Sequence, residues 1–406
     1  MHNKTNPLRI SIPGPLAVYR TGLMEDLAEK GYTERSTTHV VYLLAHIDQW
    51  LSRQGLRPEQ FTDEEIARFL RERRRAGAKK HVTARGIDSV IGFLRRSGAI
   101  PFAARPQEEK SGRDALLDGY AFYLVQERGL AATTVASYRT FTRDFLLAQN
   151  IADATCLAGL RASDVSSYVL REARKKNPGF LRRIIGGIRG FLRYSFVEGR
   201  LPVDLSGALP SVAFRRLAGI PKYLTPTERA ALLRTPDRRT RLGCRTYAVL
   251  LLMLRLGLRS CEVAAICLGD INWCRGELTV RGKGRRLDTL PLPKDVGEAI
   301  VAYLKKGRPK HRSRSLFMTA KAPIRPVTSI AVGWIVRLAG DRCGLPHLGA
   351  HRLRHTAATQ MLRNGASLTE IGQALRQHGV DTPAIYAKVD DRSLARASRP
   401  WPGVSV

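Results

Sequence analysis

Two arginines, a lysine, a histidine and a tyrosine near the C-terminal end can act together on a phosphate group: Arg259, Arg354, Lys283, His351 and Tyr386. Planar guanidinium groups bind phosphate oxygens bidentately, so the arginines match the negative charge that builds up when a phosphodiester is attacked. The phenol of a tyrosine has a pKa of about 10, so Tyr386 needs help to lose its proton if it is the nucleophile. Arg354 lies three residues after His351, which places both on one face of a helix.

These residues stand in four short motifs, which read Leu256-Gly257-Leu258-Arg259-Ser260-Cys261-Glu262, Gly282-Lys283-Gly284, His351-Arg352-Leu353-Arg354-His355-Thr356 and Asp381-Thr382-Pro383-Ala384-Ile385-Tyr386-Ala387. In this order, the motifs resemble those of the tyrosine recombinase family, also called phage integrases. The resemblance covers roughly residues 112–390, and its catalytic motifs lie in 256–386. The ending Tyr-Ala-Lys-Val is most similar to that of recombinases of transposable elements.

The resemblance implies a reaction on DNA. Tyr386 forms a 3′-phosphotyrosyl link and leaves a free 5′-hydroxyl, with His351 assisting proton transfer. Lys283, on a flexible turn, matches the lysine that protonates the leaving 5′-oxygen as general acid. Arg259 and Arg354 occupy the two arginine positions of the family. Because the covalent link conserves the energy of the cut backbone, no nucleotide cofactor and no metal is expected, and the sequence has no Walker loop, HExxH or paired Cys/His motif.

Accessory residues surround this set. Glu262, three residues beyond the first arginine, fits an acidic position of the family, and we assign it to the orientation of catalytic groups. The family usually has His or Trp nine residues before the tyrosine, where this chain has Gln377, followed by His378. Either the Gln377 amide donates the hydrogen bond, or a shift of the helix end brings His378 into the site, which we favour. His355 is interpreted as a structural histidine.

The charge of the chain points to a polyanionic partner. There are 68 Lys and Arg against 35 Asp and Glu, a formal net charge of +33. An excess of this size repels itself unless a polyanion compensates it, which favours nucleic acid. No basic amphipathic anchor or lipidation motif supports a membrane partner. Arginines expected to contact DNA are Arg182, Arg183, Arg189, Arg215 and Arg216.

Other features predict an intracellular, nucleoid-associated protein. The six cysteines form no CxxC pair, so reduced thiols are expected. The N-terminus has no secretory apolar core, and the longest apolar run, Tyr247 to Leu254, is eight residues long. That run is far too short to span a bilayer.

The fold is expected to be mainly α, with a small antiparallel sheet in an α+β catalytic domain. Matches in the first half, such as Lys30-Gly31 with Arg128-Gly129, recur at an offset of 98 to 101 residues and indicate two copies of one helical domain. One of these matches is Gly92-Phe93-Leu94-Arg95 with Gly190-Phe191-Leu192-Arg193. Thr134 is expected to cap a helix of the second copy. A buried helix broken by Gly257 is predicted at Tyr247 to Leu256, and capping boxes are predicted at Thr225 with Glu228 and at Ser367 with Glu370. Strands are predicted at Glu277 to Arg281 and Arg286 to Leu292, joined by a glycine-rich turn. Predicted domains are an additional core-binding-like domain (1–105), a core-binding domain (112–203), a linker (204–221), the catalytic domain (222–390) and a tail (391–406).

This organisation predicts a clamp on DNA, with the linker passing along the duplex. The resemblance implies four protomers on two DNA sites. It also allows partner recombinases, and contacts of the tail (391–406) with a neighbouring protomer. Two alternatives remain: a type IB topoisomerase-like enzyme that relaxes DNA, and a non-catalytic DNA-binding accessory factor. The target sequence and the direction of the reaction, whether integration, excision, inversion or resolution, are not encoded in these motifs.

Overall fold

Helices make up most of the described chain, and one antiparallel sheet of three strands lies in its C-terminal third. The computed structural model describes Pro7 and residues 10–102, 111–211, 222–282 and 286–376. The chain divides into two units: Ala103–Ala218 forms one, and Met1–Phe102 together with Gly219–Val406 forms the other. The predicted fold class is thereby confirmed.

The first helical repeat has its own apolar core. It consists of α1 (Arg20–Glu29), α2 (Glu34–Gln54), α3 (Asp63–Arg75) and α4 (Ala84–Arg96). The preceding segment is held against α2 by Asp48, which is fully buried and accepts hydrogen bonds from Gly14 N (2.7 Å) and Leu16 N (2.9 Å). A buried carboxylate needs such donors, so Asp48 fixes the entry of the chain into the repeat.

The second repeat forms the other unit. Its helices are α5 (Gly112–Gln126), α6 (Ala132–Ala148), α7 (Ala154–Ala158), α8 (Ala162–Ala173) and α9 (Pro178–Val197). The expectation that Thr134 caps a helix is wrong: α6 has Ala131 as its N-cap, and Thr134 lies in the first turn. A 3₁₀ turn, Leu205–Ala208, and the buried Leu209 follow, so the first part of the predicted linker packs on this repeat.

The two repeats match in element order and in their turns. Gly31 and Gly129 each follow the first helix with a positive φ, 75° and 56°. Gly98 and Gly199 do the same after the last helix, with φ of 73° and 68°. Glycine populates this region at little cost, which explains why the sequence similarity was visible at these turns.

The last helices match at an offset of 101 residues, not 98. Buried positions Ile87, Val90, Ile91 and Leu94 correspond to Ile188, Phe191, Leu192 and Ser195. The sequence similarity of 92–95 to 190–193 is therefore three residues out of register. A shift of three residues is close to one helical turn and keeps the apolar face, so hydrophobic pattern alone did not reveal it.

The unit that contains the first repeat also contains the C-terminal part of the chain, where the sheet and the largest apolar core lie. Its elements are α10 (Pro226–Arg234), α11 (Arg241–Arg255), α12 (Ser260–Ala265), β1 (Ile271–Asn272), β2 (Glu277–Arg281), β3 (Leu287–Pro291), α13 (Lys294–Ala302) with a π-helical turn (Tyr303–Gly307), α14 (Ser329–Arg342), α15 (Ala350–Arg363) and α16 (Leu368–Ala374). The strands pair antiparallel in the order β1-β2-β3, with Thr279 opposite Thr289.

Helix α11 lies at the centre of this core and contacts α10, α12, α13, α14 and α15. It begins six residues before the predicted start at Tyr247, because the Thr240 hydroxyl caps it by accepting from Gly243 N at 3.0 Å. Both predicted capping boxes are present, at Thr225 with Glu228 and at Ser367 with Glu370.

The first repeat touches the sheet-containing part of its unit through one turn. Ile324 N donates to Lys30 O at 2.8 Å, and Arg312 pairs with Glu29 at 3.3 Å. A Cβ built on Gly31 would lie 2.5 Å from Ile324 Cγ1, so this turn requires glycine for its space as well as its φ.

All six cysteines are free thiols. Among the described helices, none combines the length and apolar character needed to cross a membrane.

Candidate functional site

Gly257 forms the joint between α11 and α12. Its φ of 59° suits glycine, and an added Cβ would lie 2.4 Å from Leu375 Cδ2. The sharp turn lets the chain restart as α12, so that Arg259 becomes the N-cap of that helix. Leu256 is therefore the C-cap of α11, Gly257 forms the turn, and Arg259 is the N-cap of α12.

Arg259 is held by Glu262 through both backbone and side chain. Glu262 Oε2 accepts from Arg259 N at 2.8 Å, and Oε1 accepts from Arg259 Nη1 at 2.6 Å. The Arg259 side chain keeps 33% of its surface exposed, whereas that of Glu262 keeps 2%. A guanidinium oriented from behind by a buried carboxylate, with an exposed face, is suited to bind an anion from solvent.

Arg354 reaches the same place from α15, 95 residues later in the sequence. Its Nη1 donates to Gly257 O at 2.7 Å, and its Nη2 donates to Leu375 O. Its Nη1 lies 4.0 Å from Glu262 Oε2, and its side chain is 4% exposed. Arg354 therefore joins the Gly257 turn to the end of α16.

Arg376 is a member of the cluster that the sequence motifs did not reveal. Its Nη2 donates to Glu262 Oε2 at 2.9 Å, and its side chain is 3% exposed. It directly follows Leu375 and has a φ of 55°. A basic residue near a helix C-terminus is common for electrostatic reasons, so its sequence position alone did not mark it.

Glu262 is kept ionised by its neighbours. Burial by itself would raise the pKa of this carboxyl group, but the hydrogen bond from Arg259 N and the charges of Arg376 and Arg259 outweigh burial and lower the pKa below 4.5. The carboxylate is therefore charged at neutral pH and acts as the common anion of the surrounding arginines.

The two histidines of α15 differ in environment. His351 is exposed, whereas His355 is half-buried. Burial, followed by the charges of His351 and Arg354, lowers the pKa of His355, so this imidazole is neutral at neutral pH. His351 is thus open to solvent, whereas His355 is a half-buried neutral imidazole.

The segment that enters α10 fixes the start of α15. Arg352 Nη2 donates to Glu228 Oε1 at 3.1 Å, and Leu224 N donates to Thr356 Oγ1 at 2.9 Å. Arg352 is the residue after His351, so these bonds hold the helix end that carries His351.

Comparisons with known proteins agree with this geometry. A family model described as the phage integrase family matches residues 222–393. The putative integrase/recombinase y4rA of Sinorhizobium fredii is 38% identical over 393 residues, which is 96% of this chain and 95% of the relative. The tyrosine recombinase XerD of Listeria monocytogenes is 26% identical over 280 residues, 68% of this chain and 94% of the relative. The chain belongs to the phage integrase family.

A solved structure of a lambda integrase tetramer bound to a Holliday junction has the same fold, with a TM-score of 0.55 at 16% identity, over 80% of this chain and 90% of that chain. This phage integrase is a site-specific recombinase that cuts and rejoins DNA, as the resemblance implied. The alternatives of a topoisomerase-like enzyme and of a non-catalytic accessory factor are therefore not favoured.

Several predicted site residues of the integrase lie outside the described residues. They are Lys283, Gln377, His378 and Tyr386, together with the DNA-contact candidates Arg215 and Arg216. The base of the Lys283 hairpin is described: Arg281, at the end of β2, pairs through both Nη atoms with the buried Asp270. This bidentate pair fixes the end of the strand that precedes Lys283 in the sequence.

The described DNA-contact candidates differ in what they bind. Arg182 and Arg183 are exposed on α9, and the Arg183 guanidinium lies over the Phe141 ring at 5.8 Å. Arg189 donates to Leu209 O at 2.9 Å, so it holds the segment that follows the repeat. Within the described ranges, no group of three or more His, Cys, Asp or Glu side chains is arranged to hold a metal ion.

Proposed function

We propose that this integrase cleaves DNA with Tyr386 as nucleophile and that Arg259 and Arg354 bind the scissile phosphate. The phenol oxygen forms a bond to phosphorus, the bond to the 5′-oxygen breaks, and the strand is joined to the enzyme through its 3′-phosphate. Lys283 gives a proton to the leaving 5′-oxygen, and His351 assists the removal of the proton from the Tyr386 phenol. In rejoining, a 5′-hydroxyl attacks the phosphotyrosine and the phenol leaves.

The convergence of Arg259 and Arg354 on Glu262 is the observation that carries this proposal. The two residues lie on different helices, yet each has a nitrogen within 4.0 Å of one buried carboxylate. Preorganised donors directed at developing charge are commonly the largest contribution to such catalysis. Glu262 supplies one negative charge to several guanidinium groups, so the cluster keeps a net positive charge for a phosphate.

The proposed assembly is a homo-tetramer on two recombination sites, with other recombinases as further partners. Strand exchange between two duplexes breaks four strands, and each protomer offers one nucleophile, so four protomers complete one reaction. The likeness to y4rA, a putative integrase/recombinase, supports a role in DNA integration, and the Tyr-Ala-Lys-Val ending favours a mobile element as the DNA that is integrated. With its net charge of +33, the protein is expected to associate with the nucleoid.

The test uses a DNA duplex that carries the recombination site with a nick near the cleavage point, so that the short 5′-hydroxyl fragment diffuses away and the covalent complex accumulates. The natural protein should become attached to the 3′-phosphate. Tyr386→Phe, which removes only the hydroxyl, should give no adduct and bind DNA almost as well, because many basic groups hold the backbone.

Tyr247→Phe is the matched control, since this tyrosine lies on α11 and packs under Arg238 with 4.8 Å between guanidinium and ring. It should form the adduct at the normal rate. An adduct that persists in Tyr386→Phe would refute the nucleophile. Relaxation of supercoiled DNA without exchange between two sites would favour a topoisomerase-like activity.

A further inference from the structure

Arg376 is held in a backbone conformation that an arginine rarely adopts. Its φ of 55° lies in the left-handed region, where a Cβ crowds the following carbonyl. A residue keeps such a strained backbone conformation when the surrounding structure holds it in place, and residues of this kind concentrate at functional sites. A glycine would take this conformation without strain, so the arginine side chain itself needs an explanation.

The side chain is buried and bound on two sides. Nη2 donates to Glu262 Oε2 at 2.9 Å, and Nη1 donates to Ala374 O at 2.9 Å. A buried ion pair seldom repays the cost of removing two charges from water, so stability alone is a weak reason to keep it. Orientation of the partner is the better reason, because the pair fixes one carboxylate oxygen in place.

That oxygen also determines the position of Arg259. Glu262 Oε2 accepts from Arg259 N at 2.8 Å, while Oε1 of the same carboxylate accepts from Arg259 Nη1 at 2.6 Å. Rotation of the carboxylate would therefore disturb both contacts at once. Arg376 opposes that rotation through a contact between residues 114 apart in sequence.

Arg354 gives the carboxylate a competing partner. Its Nη1 lies 4.0 Å from Glu262 Oε2, beyond hydrogen-bond distance, while its guanidinium is bound to Gly257 O and Leu375 O. Without Arg376, the nearest remaining charge on that side of Glu262 is Arg354. The carboxylate would then turn toward Arg354 and change the position of both arginines proposed to bind phosphate.

We infer that Arg376 is a positioning residue of the recombination reaction, which acts through Glu262 to orient Arg259 and to keep the Glu262 carboxylate from turning into a direct hydrogen bond with Arg354. The inference rests on the proposed function, in which Arg259 and Arg354 bind the scissile phosphate. Leu375 and Arg376 are neighbours in the chain, so one short segment holds Arg354 by its carbonyl and Glu262 by its guanidinium. The same segment leads, ten residues later, to Tyr386.

The principal test is Arg376→Gly in the full-length protein, because glycine adopts the left-handed backbone without strain and removes the guanidinium together with the rest of the side chain. Single-turnover cleavage of the nicked duplex at saturating protein should fall about 100-fold, as displacement of a catalytic group by about an ångström does. The Kd for the same duplex should change by less than about threefold, because phosphate contacts elsewhere dominate affinity. A matched backbone control is His347→Gly, at a φ of 59° in the same unit, which should cleave normally.

Two further measurements separate positioning from a merely structural role. Guanidinium ion added to Arg376→Gly should restore part of the cleavage rate, whereas it should not help His347→Gly. Arg376→Gly combined with Glu262→Gln should be little slower than the slower single variant, because both changes remove one interaction.

Equal loss of cleavage and of DNA binding in Arg376→Gly, or cleavage at the normal rate, would overturn the inference. If Arg376→Gly does not fold, Arg376→Met answers the question, since it keeps an unbranched side chain and removes the charge: a folded Met variant with full cleavage would also overturn the inference. Arg259→Ala distinguishes a failure of the positioning role from a failure of the proposed function. An inactive Arg259→Ala beside an active Arg376→Gly would overturn only the positioning role, and an active Arg259→Ala would overturn the phosphate site itself.

Discussion

Replacement of Glu262 by glutamine removes one charge from the centre of the arginine cluster while almost preserving the shape of the side chain. The Glu262 side chain is 2% exposed and contacts Arg259 and Arg376 directly, with Arg354 at 4.0 Å. The side chains of Arg354 and Arg376 are themselves only 4% and 3% exposed, so water cannot replace the lost charge. The variant therefore leaves buried guanidinium groups without their common anion.

The cost is expected to be about 3–5 kcal/mol of the free energy of unfolding, the usual result of breaking a buried ion pair from one side. The pair with Arg259 adds about 1 kcal/mol at most, because that side chain is one-third exposed. A domain is stable by only about 5–15 kcal/mol, so the change should be large in urea unfolding. Trp50, Trp273 and Trp334 lie in the described part of the unit that contains Glu262, and residues 103–218 contain no tryptophan, so tryptophan fluorescence reports unfolding of that unit.

The effect should depend on pH in a defined direction. Although burial opposes ionisation, the hydrogen bond from Arg259 N and the charges of Arg376 and Arg259 lower the pKa of Glu262 in the folded protein. Its contribution to stability is thus fully present above the ordinary pKa of 4.5 and is lost as the pH falls through the lower folded value. The difference between the natural protein and Glu262→Gln should be constant near neutral pH and should shrink in acid.

Asp295→Asn is the matched control. Asp295 pairs with Arg255 at 2.7 Å in the same unit, but both side chains are more than one-third exposed, so its loss should cost about 1 kcal/mol or less. If Glu262→Gln costs no more than Asp295→Asn, or if its effect grows as the pH falls, the buried carboxylate is not the anion of this cluster.

Three other outcomes follow from the same site and fold. Lys283→Ala should cleave slowly, but a substrate with sulfur as the leaving 5′-atom should restore its rate, because a thiol has a pKa of about 8.5 and leaves without a general acid; a rate that stays slow would exclude that role. If His378 supplies the accessory donor, His378→Ala should reduce cleavage roughly 100-fold and Gln377→Ala should be mild, and the reverse order would assign the role to Gln377. Replacement of the exposed arginines among residues 71–75 by glutamine should shorten the DNA footprint and flatten the salt dependence of DNA affinity. If the footprint and the salt dependence did not change, the first repeat would instead contact a protein.

Local signals predicted much of the local structure. The strand Glu277–Arg281 and both capping boxes occur where the sequence places them, since turns, caps and alternation are encoded by neighbouring residues. The short strand Ile271–Asn272 was not predicted, because two residues carry no alternation to recognise. Pairing with β2 defines it, and pairing is a tertiary property.

The arginine cluster was predicted only in part, for a similar reason. Arg259, Glu262 and Arg354 stand in motifs, and the structure brings them together. Arg376 stands outside every motif and joins the cluster through a contact between distant segments. In a chain with 68 lysines and arginines, residue type did not distinguish it from surface charge.

The two repeats share one helical fold but differ in the length of their last helix. Helix α9 has 20 residues, but its counterpart α4 has 13 and begins at Ala84, so the first repeat lacks the turns that carry Arg182 and Arg183 in the second. The first repeat instead has a run of arginines in the last turn of α3, Arg73 to Arg75. The turn at Gly31 receives Ile324, whereas a Cβ added at Gly129 would meet no atom of the described residues within 4 Å. Because deletion of the first repeat would also expose Ile324, only substitution of its arginines separates a contribution to DNA binding from the loss of this packing.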